Sequence, residues 1–350
     1  MSGVAGFAPW QQRAYARAAQ AIDEGRLAHG LLICGSARLG KRAVAEALAQ
    51  RLLCEARAPG AEPCGRCRGC RLFASRSQRE TVETRPDGTL AHPWGRPGHP
   101  DAFFVGHVLN EKASPPKMRT EIVIEQIREV SEKLALTPQY GGAQVVVVDP
   151  ADAVNNAASN ALLKTLEEPQ PGRYLWLVSA QPARLPATIR SRCQKLELRL
   201  PAHDEARAWL QAQGHAAKAA ADALQAARGH PGLAHAWLQE GGMALRREIA
   251  EDLQQVAAGR AGAVPTAKRW TSGDDAELRL RFAADLALEQ AASGLTDPGR
   301  NRRLAAWFDM ANRTRDLLRT TVRGDLAVAE LLLRWRGPAK GAMENGGRGR

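Results

Sequence analysis

The sequence predicts an α/β domain built on a parallel sheet, followed by helical domains. A run of four valines at 145–148 is β-branched without interruption, which is typical of a strand buried on both faces at the centre of a parallel sheet. A glycine-rich segment at 35–41 joins a short apolar run to a helix-forming segment, the order that a phosphate loop requires. From about residue 244 to 336 the pattern is helical and contains no strand-like run.

The composition restricts the kinds of protein that this chain can be. The chain has 350 residues, of which 44% are hydrophobic, enough for two or three domains with real cores. No apolar run approaches the ~20 residues that span a bilayer, and no signal-peptide pattern is evident, so we expect a cytoplasmic protein without a membrane segment. The net charge of +12 permits contact with nucleic acid or acidic proteins, but the arginines are spread along the chain.

The glycine-rich segment begins at Gly35 and ends at Gly40 and Lys41. Its backbone N–H groups can converge on phosphate oxygens, and Lys41 stands where a phosphate-binding lysine belongs. The pattern should close on a Ser or Thr hydroxyl that ligates Mg²⁺, but the residue here is Arg42, which has no acceptor atom. The loop is thus compatible with phosphate and incompatible with the metal. A structural turn without a ligand is the alternative.

A second departure follows the valine run. Asp149 is predicted at the carboxyl end of that strand, where parallel sheets place ligand-binding residues. A phosphate-loop ATPase would carry a carboxylate beside it to activate water, but Pro150 stands there. Asp152 lies three residues on and is expected to point elsewhere. The residues therefore lack a base independently of the change at Arg42.

Four cysteines lie within 17 residues and predict a metal site. Their spacing, with two gaps of two residues, suits a tetrahedral Zn²⁺ ion held by sulfur alone, which predicts structural and not catalytic zinc. An iron–sulfur cluster or four reduced thiols are the alternatives. The other two cysteines, Cys34 and Cys193, are expected to behave as small buried hydrophobic residues. The predicted ligands are Cys54, Cys64, Cys67 and Cys70.

The remaining elements follow from periodicity and chain breakers. Helices are predicted at 8–28, 42–53, 121–136 and 155–168, and strands at 31–34, 103–105, 175–179 and 196–200. The stretch 76–100 holds many prolines and glycines and predicts a long surface loop, with His92 and His99 exposed to solvent. Asp204 is the predicted N-cap of the next helix, which follows Pro201.

Two further segments carry a family resemblance. The stretch Asn160-Ala161-Leu162-Leu163-Lys164-Thr165-Leu166-Glu167-Glu168-Pro169 and the tripeptide Ser191-Arg192-Cys193 resemble bacterial clamp-loader subunits of the AAA+ class. That family has a phosphate loop, a four-cysteine zinc module after the loop helix, and this tripeptide, in the order seen here. The resemblance implies an AAA+ α/β domain at 1–200 with a zinc module at 54–70, a helical lid at 201–243, a helical collar for oligomerisation at 244–337 and a flexible tail at 338–350.

Within that family, the departures resemble the delta-prime subunits of the DNA polymerase III clamp loader more than the gamma/tau subunits. Besides Arg42 and Pro150, the segment 229–233 stands where an ATPase would carry a nucleotide-sensing arginine. This resemblance implies a subunit of the polymerase holoenzyme, a nucleotidyltransferase complex, that does not hydrolyse ATP itself. Gly35, Gly40 and Lys41 would form a degenerate loop, with no ATP or Mg²⁺ expected.

The resemblance also implies a role for Arg192, which would reach in trans to the nucleotide of a neighbouring gamma/tau subunit. The chain would contact gamma/tau and delta as a stator, and the complex would place the sliding clamp on primed DNA. An ion pair with a local carboxylate is the plainer interpretation of Arg192. The alternatives in function are an active gamma/tau-like ATPase and a zinc-containing nucleic-acid binder unrelated to clamp loading.

Overall fold

The computed structural model describes residues 6–58, 60–77, 96–110, 117–140, 142–293, 297–318 and 320–336. The chain divides into two compact units, one of residues 1–214 and 229–233, the other of residues 215–228 and 234–350. The predicted tail at 338–350 and most of the predicted loop at 76–100, including His92, lie outside the described residues.

The first unit is built on a parallel sheet of five strands in the order β4-β7-β8-β1-β9. Two short antiparallel pairs, β2 with β3 and β5 with β6, lie outside that sheet. The strands are β1 (Gly30–Cys34), β2 (Arg76–Ser77), β3 (Arg96–Pro97), β4 (Ala102–Val105), β5 (Leu109–Asn110), β6 (Lys117–Met118), β7 (Gln144–Val148), β8 (Arg173–Ser179) and β9 (Gln194–Glu197). The helices are α1 (Pro9–Asp23), α2 (Lys41–Leu52), α3 (Arg68–Ala74), α4 (Ile124–Ala135), α5 (Asn156–Glu167), α6 (Ala187–Arg192) and α7 (His203–Ala212).

The valine run forms β7, and all five of its residues are buried, as predicted for an inner strand. Val145 and Val147 pack into a core on the side of α1 and α2. Val146 and Val148 pack into a second core on the side of α4, α5 and α6. Because both faces of the sheet are covered, the continuous apolar pattern is explained by burial on each side. This placement also brings Asp149 to the carboxyl edge of the sheet.

Several predicted boundaries are wrong by a few residues. The first helix ends at Asp23 and not at residue 28, and the helix predicted from 121 begins at Ile124. The last strand spans Gln194–Glu197, earlier than predicted. The N-cap of α7 is Ala202 and not Asp204, which lies in the first turn of that helix. There its carboxylate faces the positive end of the helix dipole, so the acidic residue still stabilises the helix start.

A helix and a hairpin are among the features that were not predicted. Helix α3 directly follows Cys67, and the β5–β6 hairpin precedes α4.

The prediction of an exposed His99 is wrong, because that side chain is only 2% exposed. Its Nδ1 accepts a hydrogen bond from the backbone N–H of Asp101 at 3.1 Å, and its ring packs on Tyr140. Burial lowers the pKa of His99, so the folded state favours the neutral ring.

All secondary-structure elements among the described residues of the second unit are helices. Trp270 and Phe282 are completely buried, and Phe282 packs edge-on against Trp237 at 4.8 Å between ring centroids. None of the described helices is both long enough and apolar enough to cross a membrane. The helices are α8 (Ala217–Ala226), α9 (Pro231–Gln239), whose first residues belong to the first unit, α10 (Gly242–Ala257), α11 (Ala263–Thr271), α12 (Ala276–Ser293), α13 (Pro298–Leu317) and α14 (Gly324–Arg336).

Candidate phosphate loop, metal cluster and exposed arginine

The glycine loop is held in place by α1. The carbonyl oxygen of Leu39 accepts hydrogen bonds from Trp10 Nε1 at 3.1 Å and Gln11 Nε2 at 3.0 Å. Gly40 has φ of +82°, a left-handed conformation that side-chain-bearing residues rarely adopt, so glycine is favoured at this position. Helix α2 then begins at Lys41, which places its N-terminus at the end of the loop.

Lys41 lies inside this loop. The side chain is 7% exposed, and its Nζ donates to the carbonyl oxygen of Ser36 at 2.8 Å. Burial lowers the pKa of Lys41, while the negative charge of Asp149 acts in the opposite direction. Of the predicted phosphate-binding residues, Gly40 and Lys41 line one cavity, and the ammonium group of Lys41 lies against the carbonyl of Ser36, the residue after Gly35.

Arg42 lies between two carboxylates. Its Nε is 3.0 Å from Glu46 Oε1, its Nη1 is 3.6 Å from Asp149 Oδ2, and its guanidinium lies over the ring of Phe104 at 5.7 Å. A divalent ion held by Asp149 would have to share this space with a fixed positive charge. The geometry therefore opposes metal binding more strongly than the loss of a hydroxyl alone, which sequence reasoning could not show.

The Asp152 carboxylate is engaged by donors at the end of β8, and its negative charge still acts on Lys41. Its carboxylate accepts hydrogen bonds from Ser179 Oγ, from the backbone N–H of Ala180 at 2.8 Å and from that of Gln181 at 3.1 Å. These donors lie at the end of β8, so the carboxylate fixes the turn that follows this strand. Asp152 therefore has a structural role in the described fold. Its carboxylate oxygens are occupied by hydrogen-bond donors of the protein and do not act as a base toward water.

Replacing Asp152 with Ala is expected to destabilise the first unit by about 2–3 kcal/mol, because three donors lose their acceptor. Asp152→Asn retains one acceptor oxygen and should lose less. Thermal unfolding of both variants beside the wild-type chain measures the difference. An unchanged midpoint for Asp152→Ala would contradict this role.

The four predicted ligand cysteines converge. Their sulfur atoms all lie within 4.8 Å of one another, and Cys54 Sγ is 3.9 Å from Cys67 Sγ. A tetrahedral zinc ion with Zn–S bonds of ~2.3 Å requires sulfur atoms roughly 3.8 Å apart, so the cluster fits such an ion. Four sulfur atoms fill a tetrahedron, which leaves no open position for catalysis.

Backbone N–H groups point at these sulfur atoms. Cys67 N donates to Cys64 Sγ at 3.3 Å, and Cys70 N donates to Cys67 Sγ at 3.3 Å at the start of α3. Hydrogen bonds from the backbone N–H groups of Arg66 and Cys67 lower the pKa of Cys64 to about 6, whereas burial raises the pKa of Cys70. The backbone thus favours the thiolate form at Cys64, the form that binds metal. Cys34 is buried, as predicted, and Cys193 is partly exposed.

A buried ionic network ties the cysteine module to α1 and α2. Arg51, 2% exposed on its side chain, pairs with Asp23 at 2.6 Å and with Glu62 at 3.3 Å. Asp23 also binds Arg57 at 2.6 Å, and the hydroxyl of Tyr15 donates to Glu62 at 2.5 Å. Glu62 and Arg57 lie between Cys54 and Cys64, so the module is anchored by charge. The sequence carries no periodic signal for such pairs, and they were not predicted.

Arg192 is the last residue of α6, and its side chain is 38% exposed. Its Nη2 lies 2.7 Å from Glu167 Oε1, and its Nη1 donates to the carbonyl oxygen of Thr188 at 3.0 Å. The local ion pair considered from the sequence is therefore present in the single chain. An exposed pair of this kind contributes only about 0–1 kcal/mol, so a stronger anion could displace Glu167 at small cost.

The segment 229–233 packs directly on the glycine loop. A Cβ at Gly232 would lie 1.9 Å from the carbonyl oxygen of Arg38, which requires glycine for this close backbone approach. His230 Nδ1 accepts a hydrogen bond from the backbone N–H of Leu233 at 3.2 Å at the start of α9. The sequence indicated that this segment lacks the nucleotide-sensing arginine of an ATPase, but it did not predict the contact between Gly232 and the glycine loop.

The chain matches proteins of bacterial DNA replication. A family model described as "DNA polymerase III, delta subunit" matches residues 10–202. DNA polymerase III subunit delta′ of Pseudomonas aeruginosa is 33% identical over 75% of this chain and 71% of its own length, and that of Escherichia coli is 33% identical over 70% and 65%. Subunit tau of Escherichia coli is 29% identical over 54% and 24%.

The family model covers more than half of the chain, and the match to the delta′ relatives exceeds the match to tau in both identity and coverage. This confirms the resemblance drawn from the motifs at 160–169 and 191–193. The chain therefore belongs to the delta-prime subunit family of DNA polymerase III.

Proposed function

We propose that this chain is the non-hydrolysing stator subunit of a DNA polymerase III clamp loader. The observation that carries the proposal is the position of Arg42, whose guanidinium lies between Glu46 and Asp149. Nucleotide hydrolysis at a phosphate loop needs a divalent cation at this place, bridging the phosphate oxygens. The guanidinium of Arg42 occupies the position of that cation, and Pro150 stands in place of a base. The loop therefore retains the phosphate-loop conformation but cannot cleave ATP.

The same chain supplies Arg192 in trans to a neighbouring gamma/tau ATPase. A planar guanidinium suits this task because it stabilises the charge that builds on the transferred phosphoryl group. Its position at the exposed end of α6 supports the proposal, since the pair with Glu167 is accessible and weak. In the assembled complex, phosphate oxygens would replace Glu167 as the partner of Arg192.

The proposed partners are gamma/tau on one side and delta on the other, and together the subunits load the sliding clamp onto primer-template DNA in the cytoplasm. The organisation into an AAA+ domain at 1–200, a lid at 201–243 and a collar at 244–337 is part of this proposal. Four large apolar side chains near the end of the second unit are 42–56% exposed, which supports a subunit interface there. They are Leu317, Val322, Leu326 and Leu333.

Zinc is the proposed occupant of the cysteine cluster. When bound, the metal would cross-link the end of α2 to the start of α3 through Cys54, Cys64, Cys67 and Cys70. The ionic network around Arg51 would then transmit this rigidity to α1. Since all four ligands are protein sulfur atoms, the metal stabilises the domain and takes no part in chemistry.

Mixing the purified chain with gamma/tau and delta is expected to give one stable complex in size-exclusion chromatography. Arg192→Ala is the matched control, because it removes a group proposed for catalysis in trans and should assemble as well as the wild-type chain. Failure of the wild-type chain to enter the complex would contradict the stator role. Tight DNA binding by the chain alone, together with that failure, would favour the nucleic-acid binder.

A further inference from the structure

An ion pair joins the ends of the two helices that carry the family motifs. Glu167 is the last residue of α5, and Arg192 is the last residue of α6. Glu167 Oε1 lies 2.7 Å from Arg192 Nη2, and the two side chains are 49% and 38% exposed. An acidic residue at the C-terminal end of a helix opposes the helix dipole, so the stability of α5 does not account for Glu167. Its pairing with Arg192 does.

The backbone on both sides of this ion pair is fixed by buried neighbours. Leu166, next to Glu167, is buried, and Ile189, one turn before Arg192, is completely buried. Both side chains belong to the core that α5 and α6 cover. His29 Nε2 donates to the carbonyl oxygen of Leu166 at 3.0 Å, which ties the end of α5 to the start of β1. The ion pair can therefore open by rotation of two exposed side chains, without movement of either helix.

We propose that Glu167 is a positioning residue that controls when Arg192 meets the neighbouring nucleotide. The inference rests on the proposed action of Arg192 in trans and adds a condition to it. While the adjoining gamma/tau site lacks ATP, the guanidinium stays on Glu167. When ATP binds there, its terminal phosphoryl group takes the place of the carboxylate.

Charge decides which partner the guanidinium takes. A terminal phosphoryl group carries more negative charge and more acceptor oxygens than a carboxylate, and it forms strong charge-assisted hydrogen bonds with arginine. ADP lacks that group, so Glu167 keeps the guanidinium when ADP occupies the site. The contact from Arg192 Nη1 to the carbonyl oxygen of Thr188, at 3.0 Å, lies within α6 and does not compete with the nucleotide's charge. The ion pair thereby makes Arg192 respond to ATP and not to ADP.

ATP hydrolysis by the complex reconstituted with gamma/tau and delta tests the proposal, measured at the site that adjoins this chain over a range of ATP concentrations. Glu167→Gln removes the competing charge and nearly keeps the shape of the side chain. We expect it to lower the ATP concentration for half-maximal turnover by roughly two- to fivefold, the effect of losing an exposed ion pair, and to leave the maximal rate unchanged. Raising the salt concentration should shrink this difference, because exposed ion pairs are screened.

Glu168→Gln is the matched control, since it removes the same charge from the next residue, which is exposed and lies outside this ion pair. It should behave like the wild-type chain. A change in Glu168→Gln as large as that in Glu167→Gln would mean that the total charge matters and the ion pair does not, which would overturn the inference. A loss of turnover in Glu167→Gln, the result of a merely structural role, would overturn it as well.

Arg192→Ala separates the failure of this inference from the failure of the role in trans. Equal turnover in the wild-type and Arg192→Ala complexes would contradict the role in trans itself. Where Arg192→Ala slows turnover, an unchanged half-maximal ATP concentration in Glu167→Gln would overturn the inference about Glu167 alone. The double variant should equal Arg192→Ala, because Glu167 acts through Arg192. An effect of Glu167→Gln that persists without the guanidinium would contradict that coupling.

Discussion

Replacing Arg192 with alanine is expected to slow ATP turnover at the adjoining gamma/tau site of a reconstituted complex by roughly 10³–10⁵-fold. The reason is that the guanidinium stabilises charge that develops only in the transition state, so its removal acts on the chemical step. In the single chain this group contacts Glu167 and the Thr188 carbonyl, and an exposed ion pair of this kind contributes only about 0–1 kcal/mol to stability. Single-turnover hydrolysis at the interface with this chain measures the effect.

Arg192→Lys tests whether geometry or charge matters, because lysine keeps the charge and loses the planar fork. We expect most of the activity at that site to be lost in this variant as well. Arg190→Ala, which removes an exposed arginine of the same helix, is the matched control and should leave turnover unchanged. Equal turnover in the wild-type and Arg192→Ala complexes would rule out the proposed role in trans.

Replacing Cys64 and Cys67 together with serine is expected to release one metal ion per chain and to unfold the cysteine module. Structural zinc sites contribute about 10–16 kcal/mol of binding free energy in small domains, so their loss is among the largest single effects available. The damage should spread to α1 and α2, because Arg51 and Asp23 would lose the support of the segment that carries Glu62 and Arg57. Metal analysis and thermal unfolding measure the two consequences.

Cys193→Ser is the control for that experiment, since this thiol lies outside the cluster. It should leave the metal content unchanged. Protein purified without chelators that contains no zinc would show the zinc assignment to be wrong. Iron in its place would favour the cluster alternative that the spacing left open.

The centre of the fold was predictable because burial there requires an uninterrupted run of apolar residues, which can be recognised in the sequence. Val145 to Val148 must be apolar on both faces, and that requirement alone identifies an inner parallel strand. The four cysteines were equally predictable, because tetrahedral ligation restricts the spacing of residues on a tight turn. Family motifs then gave Arg192 its proposed role, which periodicity could not.

The features that were missed depend on contacts distant in sequence. In the sequence, Arg51 cannot be distinguished from the other charged residues of its helix. Only the fold shows that it is buried between Asp23 and Glu62. His99 follows a stretch rich in proline and glycine, so the sequence predicted exposure where the structure shows packing against Tyr140.

The most direct test of the account is the ATP turnover of the purified, zinc-loaded chain by itself, in the presence of Mg²⁺. With Arg42 fixed between Glu46 and Asp149 and no base beside Asp149, the account predicts no hydrolysis above the background of a Lys41→Met control. Steady, multiple-turnover hydrolysis that this substitution abolishes would contradict it and would show that the chain is an active, gamma/tau-like ATPase.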